Sequence, residues 1–253
     1  MDHTLSKDGT RIGFEKCGHG PAVILTLGAF NDHNTGTGLA QALAARFTVL
    51  NYDRRGRGDS TDSLPYAIDR EIEDIESLIA AAGGSAHLFG YSSGAILALR
   101  AVAQIQQGIS KLVLFEPAPP GGRAGEIAPD LAAHIAFGRR GEAVEQFQIE
   151  AVGIPTAAVI AMRTAPFRAA LERMAHTLVY DATIMQALPA ELMAEITVPT
   201  LVIDGEQSPP VMRNTASGIA KSLANARYHT LRGVGHDIVP EIIAPLIADF
   251  LAG

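Results

Sequence analysis

The stretch Gly90-Tyr91-Ser92-Ser93-Gly94 constrains this chain more than any other five residues. It follows the apolar run Ala86-His87-Leu88-Phe89 and opens the helical pattern Ala95-Ile96-Leu97-Ala98-Leu99-Arg100. A strand that passes straight into a helix through Gly-x-Ser-x-Gly needs small residues around the serine, because the turn is tight, and it projects the serine hydroxyl from the sheet edge. Five such letters alone are common in Gly/Ser loops. With the flanking strand and helix, Ser92 becomes the candidate nucleophile, and the Ser93 backbone amide takes the place of an oxyanion donor.

The rest of the chain repeats the same rhythm. Residues Asp2 to Cys17 read as a hairpin turned at Lys7-Asp8-Gly9-Thr10, where Asp-Gly supplies a tight turn. Ala22 to Leu27 and Thr48 to Tyr52 are unbroken apolar runs, as expected of strands covered on both faces. Between them, Gly28 to Gly36 is too rich in Gly and Asn for helix, and a helix is expected from Leu39 to Arg46. Ile68, Ile72, Ile75 and Ile79 fall at helical spacing, with Asp69, Glu71, Glu73, Asp74 and Glu76 on the opposite, solvated side. Further strands are expected at Lys111 to Glu116, Thr200 to Asp204 and Ala226 to Leu231, and closing helices at Met212 to Leu223 and Pro240 to Leu251. Strand and helix in alternation imply a mostly parallel sheet flanked by helices, with eight strands in all.

The rhythm breaks once. From Pro117-Ala118-Pro119-Pro120-Gly121-Gly122 to Glu195 there are helical stretches and no convincing strand. The organisation expected is therefore a core of residues 1–116 and 196–253, with residues 117–195 inserted as a helical cap. Its apolar residues Ile135, Phe137, Val144, Phe147, Ile160, Met162, Phe167, Leu171 and Met174 are expected to pack the cap onto the core, some of them lining a pocket.

Bulk properties exclude several classes. At 253 residues one large core fits better than two independent domains. Net charge is −7, from 27 acidic and 20 basic residues, and the only basic cluster is Arg54-Arg55-Gly56-Arg57 in a turn that reads as solvated loop, so nucleic acid is not an expected partner. A neutral or apolar small molecule fits better. Cys17 stands alone and far from any metal-ligand spacing, so neither a disulfide nor a metal is expected. With neither a signal-like N-terminus nor a long apolar run, a soluble cytoplasmic protein with no membrane partner is the default. A homodimer is left open.

The elbow, the turn Asp53-Arg54-Arg55-Gly56-Arg57-Gly58-Asp59-Ser60, the late cap and the near-terminal Gly235-His236-Asp237 together resemble the α/β-hydrolase superfamily, over almost the whole chain. The runs Phe115-Glu116-Pro117 and Ile203-Asp204-Gly205 look like a group of small bacterial hydrolases of unassigned substrate. The resemblance implies an α/β-hydrolase fold and, without any cofactor, an acyl transfer that needs a nucleophile, a base and an acid that orients the base. His236, on the loop before the last helix, has the position of the base. The other seven histidines do not: His3, His19 and His229 read as surface, His33 lies near the expected oxyanion loop, His87 in the elbow strand, and His134 and His176 in the cap.

In the superfamily pattern the acid follows the penultimate strand, three residues beyond a glycine, which here is Ser208 and carries no charge. Glu116, at the end of the preceding core strand, is the favoured replacement, since some superfamily members place their acid there. Asp204 is the alternative acid, and Asp237 is poorly placed. The family's His-Gly-x oxyanion loop corresponds to Leu27-Gly28-Ala29. Its histidine is missing, but the Ala29 amide is retained as the second expected donor. Asp53, Arg54 and Gly56 match a structural turn of the superfamily and are given no role in the site.

The expected function is a cofactor-free serine hydrolase that cleaves a small or medium carboxylic ester, thioester or lactone through a Ser92 acyl-enzyme. A C–C bond hydrolase or perhydrolase on the same residues is the enzymatic alternative. A non-catalytic ligand sensor with this fold is the rival from another class.

Overall fold

The computed structural model describes residues 1–105 and 107–253. Eight strands form one sheet: β1 (Asp2–Leu5), β2 (Arg11–Gly18), β3 (Ala22–Thr26), β4 (Thr48–Tyr52), β5 (Ala86–Tyr91), β6 (Ile109–Phe115), β7 (Thr200–Gly205) and β8 (Ala226–Leu231). Their order is β1-β2-β4-β3-β5-β6-β7-β8. The β1–β2 and β2–β4 pairs are antiparallel and all others parallel. Every residue of β3, β5 and β7 is buried, which is why these strands read as continuous apolar runs rather than alternating ones. At about 1.5–3 kcal/mol for each fully buried large aliphatic side chain, this central slab dominates the stabilisation.

Helices α1 (His33–Leu43), α2 (Ile68–Ala81) and α3 (Ser93–Gln104) connect the strands of the first half. Helix α1 begins six positions before the expected Leu39. Asp32 caps it, its carboxylate accepting from the Asn34 amide at 3.0 Å, so the polar Asn-Asp-His-Asn run is a helix start and not a loop. Helix α2 departs from expectation on its polar side. Glu71 and Asp74 are 1% exposed and face inward, for a reason that lies in the 53–60 turn described below.

Between β6 and β7 the described chain contains no strand. It holds α4 (Gly122–Glu126), α5 (Ala128–Ala136), α6 (Arg140–Gln146), α7 (Thr156–Ala161), α8 (Arg168–Arg173), α9 (Leu178–Ile184) and α10 (Ala190–Ala194), with a π-helical turn at Phe147–Ala151. Val144, Phe147, Leu178, Ala182 and Ile184 join the apolar cluster on the α2–α3 side of the sheet. Phe137, Ile160 and Phe167 do not pack as expected and are at least half exposed, since helices this short have room for only one inward-facing stripe. The chain closes with α11 (Pro210–Ser222) and α12 (Pro240–Ala252). No helix of the described residues is long and apolar enough to cross a membrane.

Candidate active site

Three residues other than glycine take a positive φ among those described: Phe30 (62°), Ser92 (56°) and Glu116 (50°). They follow the carboxyl ends of β3, β5 and β6, three neighbouring strands, so the strained backbone is gathered at one sheet edge. Strain of this kind costs about 1–3 kcal/mol per residue and persists where the surroundings over-determine it.

The surroundings of Ser92 do so. Its amide donates to the Phe115 carbonyl at 3.2 Å, and its own carbonyl accepts from Ala95 (3.0 Å) and Ala118 (3.2 Å). A Cβ on Gly94 would collide with the Thr26 carbonyl, and one on Gly28 would lie 2.8 Å from the Ser92 Cβ. The elbow and the loop after β3 are therefore in direct contact, and only glycine permits it. As the first residue of α3, Ser93 has an amide with no partner inside the helix, aimed where the helix dipole is positive.

His236 lies on the loop between β8 and α12 with its side chain 38% exposed. Its Nδ1 is 3.2 Å from Oε2 of Glu116, which is completely buried. The other carboxylate oxygen of Glu116 accepts from the Gly205 amide at 2.5 Å, so the group is anchored across β6 and β7. Tyr91 supports His236 from below. Its hydroxyl donates to the His236 carbonyl at 2.9 Å, and the two rings are 5.1 Å apart. Burial, with the charges of Asp237 and Glu116 adding to it, pushes the Tyr91 phenol up, which keeps it a donor. Nothing in the sequence pattern distinguished Tyr91 from any other elbow residue.

Asp204, the alternative acid, is engaged elsewhere. It accepts from the Tyr228 hydroxyl at 2.6 Å, has Arg213 Nε at 3.5 Å, and makes no hydrogen bond to His236. Ser208, at the position where the superfamily pattern places an acid, is buried with its hydroxyl unpartnered. Asp237 is exposed.

The loop after β3, where the oxyanion donor is expected, differs from expectation. The Ala29 amide is not free: it donates to Ser93 Oγ at 2.9 Å. The side chain of the residue after Ser92 has taken it, which no pattern of residue types signals. The amides of Phe30 and Asn31 make no hydrogen bond within the described residues, and both residues line the cavity above Ser92.

That cavity has a volume of 390 Å³. Ser92 and His236 share it with apolar side chains from the 29–31 loop, the inserted helices and α11, among them Phe30, Phe147, Val152, Met185 and Met212. No lysine, arginine, aspartate or glutamate is among its lining residues. Phe147 and Phe30 meet edge to face at 5.5 Å, so one wall is an aromatic pair joining insertion and core.

The arginines of the 53–60 turn are not solvated, although Gly58 and Asp59 are exposed. Arg54, Arg55 and Arg57 are at most 2% exposed. Arg54 makes a two-pronged pair with Glu71 (2.6 and 2.7 Å), and Arg55 does the same with Asp74 (2.7 and 2.8 Å). These partners hold Glu71 and Asp74 inward, since a buried charge is tolerated only when paired. Beside them His33, Asp53 and Asp59 present ligand-type atoms within 4.8 Å of one another. Asp53 is already occupied by the His33 ring, the His33 amide and the Asp59 amide.

A model of the "Alpha/beta hydrolase family" matches residues 11–242. Among solved structures, an alpha/beta hydrolase from Sphaerobacter thermophilus is 44% identical with a TM-score of 0.89, covering 99% of this chain and 100% of that one. The enol-lactonase from Burkholderia xenovorans has a TM-score of 0.78 at 21% identity over the full length of both chains, a likeness of fold. Among curated proteins, the N-formylmaleamate deformylase of Pseudomonas putida is 40% identical over 126 residues, 47% of this chain and 47% of that protein. The matched stretch thus spans about half the length of that relative. With the elbow, the sheet order and a family match over most of its length, this chain belongs to the alpha/beta hydrolase family.

Proposed function

We propose that this protein is a cofactor-free serine hydrolase that cleaves a small or medium carboxylic ester, thioester or lactone, with Ser92, His236 and Glu116 as its catalytic residues. The observation that carries the reading is the common cavity: the strained Ser92 and the Glu116-backed His236 open onto the same apolar space. His236, held through Nδ1 by Glu116, accepts the Ser92 proton at its other ring nitrogen as the hydroxyl attacks the carbonyl. The negative oxygen that develops is met by the Ser93 amide and by the free amides that follow Ala29, at Phe30 and Asn31. The imidazolium gives that proton to the leaving alcohol or thiol as the tetrahedral intermediate collapses to the acyl-enzyme, and the regenerated imidazole then deprotonates the water that releases the acyl group from Ser92.

The lining supports an uncharged substrate. A carboxylate on the acyl group would meet no lysine or arginine in the cavity and would lose its hydration without compensation. Residues 117–195 act in this reading as the cap, contributing Phe147, Val152 and Met185 to the pocket.

Turnover of a series of p-nitrophenyl esters from acetate to octanoate tests it, together with labelling by a fluorophosphonate. Ser92→Ala is expected to remove both, with a loss of about 10⁶ in kcat. Labelling or hydrolysis that survives in that variant would exclude the acyl-enzyme. A wild-type protein that binds acyl compounds without turning them over would favour the sensor.

A further inference from the structure

The buried arginine turn continues into the active site. Asp181, on α9 of the insertion, is completely buried. One of its oxygens accepts from Arg54 Nη1 at 2.7 Å and from the Ser93 hydroxyl at 2.8 Å, and the other accepts from Arg57 Nη2 at 2.5 Å. Each of these three donors also holds the loop that follows β3. Ser93 Oγ receives the Ala29 amide at 2.9 Å. Arg57 Nη1 donates to the carbonyls of Gly28 (2.5 Å) and Asn31 (3.3 Å), and Arg54 Nη1 to that of Leu27 (3.3 Å).

With Glu71, the group is two arginines and two carboxylates, neutral in sum and sealed from water. Its geometry is directional. Four backbone groups of residues 27–31 are fixed by three side chains, and all three side chains converge on one carboxylate. Asp181 is charged in the folded protein: burial pushes its carboxyl up, but Arg57 and Arg54 outweigh burial and hold it below its ordinary value. Remove that charge and Arg57 loses its carboxylate partner, Arg54 is left to Glu71 and no longer aimed by Nη1, and the Ser93 hydroxyl is free to rotate away from the Ala29 amide.

We infer that Asp181 is a positioning residue, supplied by the inserted helices, that sets the oxyanion loop through Ser93 Oγ, Arg54 and Arg57. The inference rests on the hydrolase reading above for its catalytic consequence, and on the hydrogen-bond network alone for its structural one.

Two variants and two readouts test it. Ser93→Ala removes only the bridging hydroxyl and leaves every charge paired; Asp181→Asn removes the charge. Hydrogen exchange of the segment 27–31, measured by mass spectrometry, is expected to accelerate at least about tenfold in both variants as local opening becomes easier. With a p-nitrophenyl ester, kcat is expected to fall about tenfold in Ser93→Ala and about a hundredfold in Asp181→Asn at nearly unchanged KM, the pattern of a misplaced donor. A trifluoromethyl ketone, which forms a tetrahedral adduct on Ser92, is expected to bind more weakly in the same proportion.

A purely structural role would lower Tm while leaving kcat per folded molecule and inhibitor binding unchanged, and that result overturns the inference. So does a fall in kcat with unchanged exchange in the 27–31 segment, since the loss would not then pass through the loop. If Asp181→Asn fails to fold, Ser93→Ala decides. If the wild type proves to have no Ser92-dependent turnover, the hydrolase reading fails by itself, and the exchange experiment still upholds or refutes the clamp.

Discussion

Glu116 and His236 meet at 3.2 Å although 120 positions separate them in the chain, and the second carboxylate oxygen of Glu116 is held by the Gly205 amide. The carboxylate is therefore fixed at both ends, as a group that must orient an imidazole needs to be. Glu116→Gln is expected to reduce kcat by about 10³–10⁴, because the amide no longer selects the imidazole tautomer that can accept a proton. Asp204→Asn should change kcat by less than about tenfold on the same substrate, since Asp204 binds Tyr228 and not the imidazole. Steady-state kinetics of both variants side by side check the assignment; a greater loss in Asp204→Asn would reverse it.

In the proposed reaction, cavity size sets the length of acyl chain accepted. Ala151 lies on the wall formed by the π-helical turn, and Ala151→Leu adds three carbon atoms to a space of 390 Å³. The ratio of kcat/KM for hexanoate over acetate is expected to drop about tenfold or more, in line with about 1–3 kcal/mol for each methylene a pocket rejects. Competition between the two p-nitrophenyl esters measures it.

The Arg54–Glu71 pair bears on stability. Glu71→Ala leaves Arg54 with Asp181 as its only remaining carboxylate in a site 2% exposed. A loss of about 3 kcal/mol is expected, because breaking one partner of a buried pair leaves charge uncompensated. Urea unfolding at neutral pH checks this, and a loss below about 1 kcal/mol would mean that water reaches the site.

His33 gives stability a pH dependence. Burial pulls its imidazole down, but the hydrogen bond and charge of Asp53 outweigh burial and raise it above 6.5. A folded-state value above the unfolded one contributes stability that is fully present below pH 6.5 and is lost as pH rises through the folded value. His33→Gln is thus expected to cost more stability at pH 5.5 than at pH 9. Equal losses at the two pH values, measured by denaturant titration, would show that protonation of the imidazole contributes nothing to the pair.

Much of the fold is legible in the residues themselves. Continuous apolar runs mark β3, β4, β5 and β7 because parallel strands are covered on both faces, and the change of rhythm at Pro117 marks where the sheet stops growing until β7. Ser92 is legible because its turn demands glycines on both sides. Glu71 and Asp74 are not, for a physical reason. A carboxylate that faces water and one that faces a buried guanidinium produce the same amphipathic pattern, and the arginine that decides between them comes from another segment. The available signal is three arginines in the four residues 54–57, more charge than one turn disperses into solvent without partners. Asp181 was hidden in the same way, and with it the fate of the Ala29 amide. A backbone donor is given to a hydroxyl or left to a substrate by distances below the scale of any sequence pattern.

The insertion leaves the carboxyl edge of the sheet after Glu116 and rejoins the sheet ahead of β7, which runs back to that edge and brings the Gly205 amide to Glu116. It is thus spliced between two neighbouring parallel strands, like a cassette open to exchange. Asp181 sets the condition on such an exchange. A foreign insertion grafted between Pro117 and Glu195 would reshape the pocket freely, but it would have to bring an acid of its own to the spot where Arg54, Arg57 and Ser93 converge.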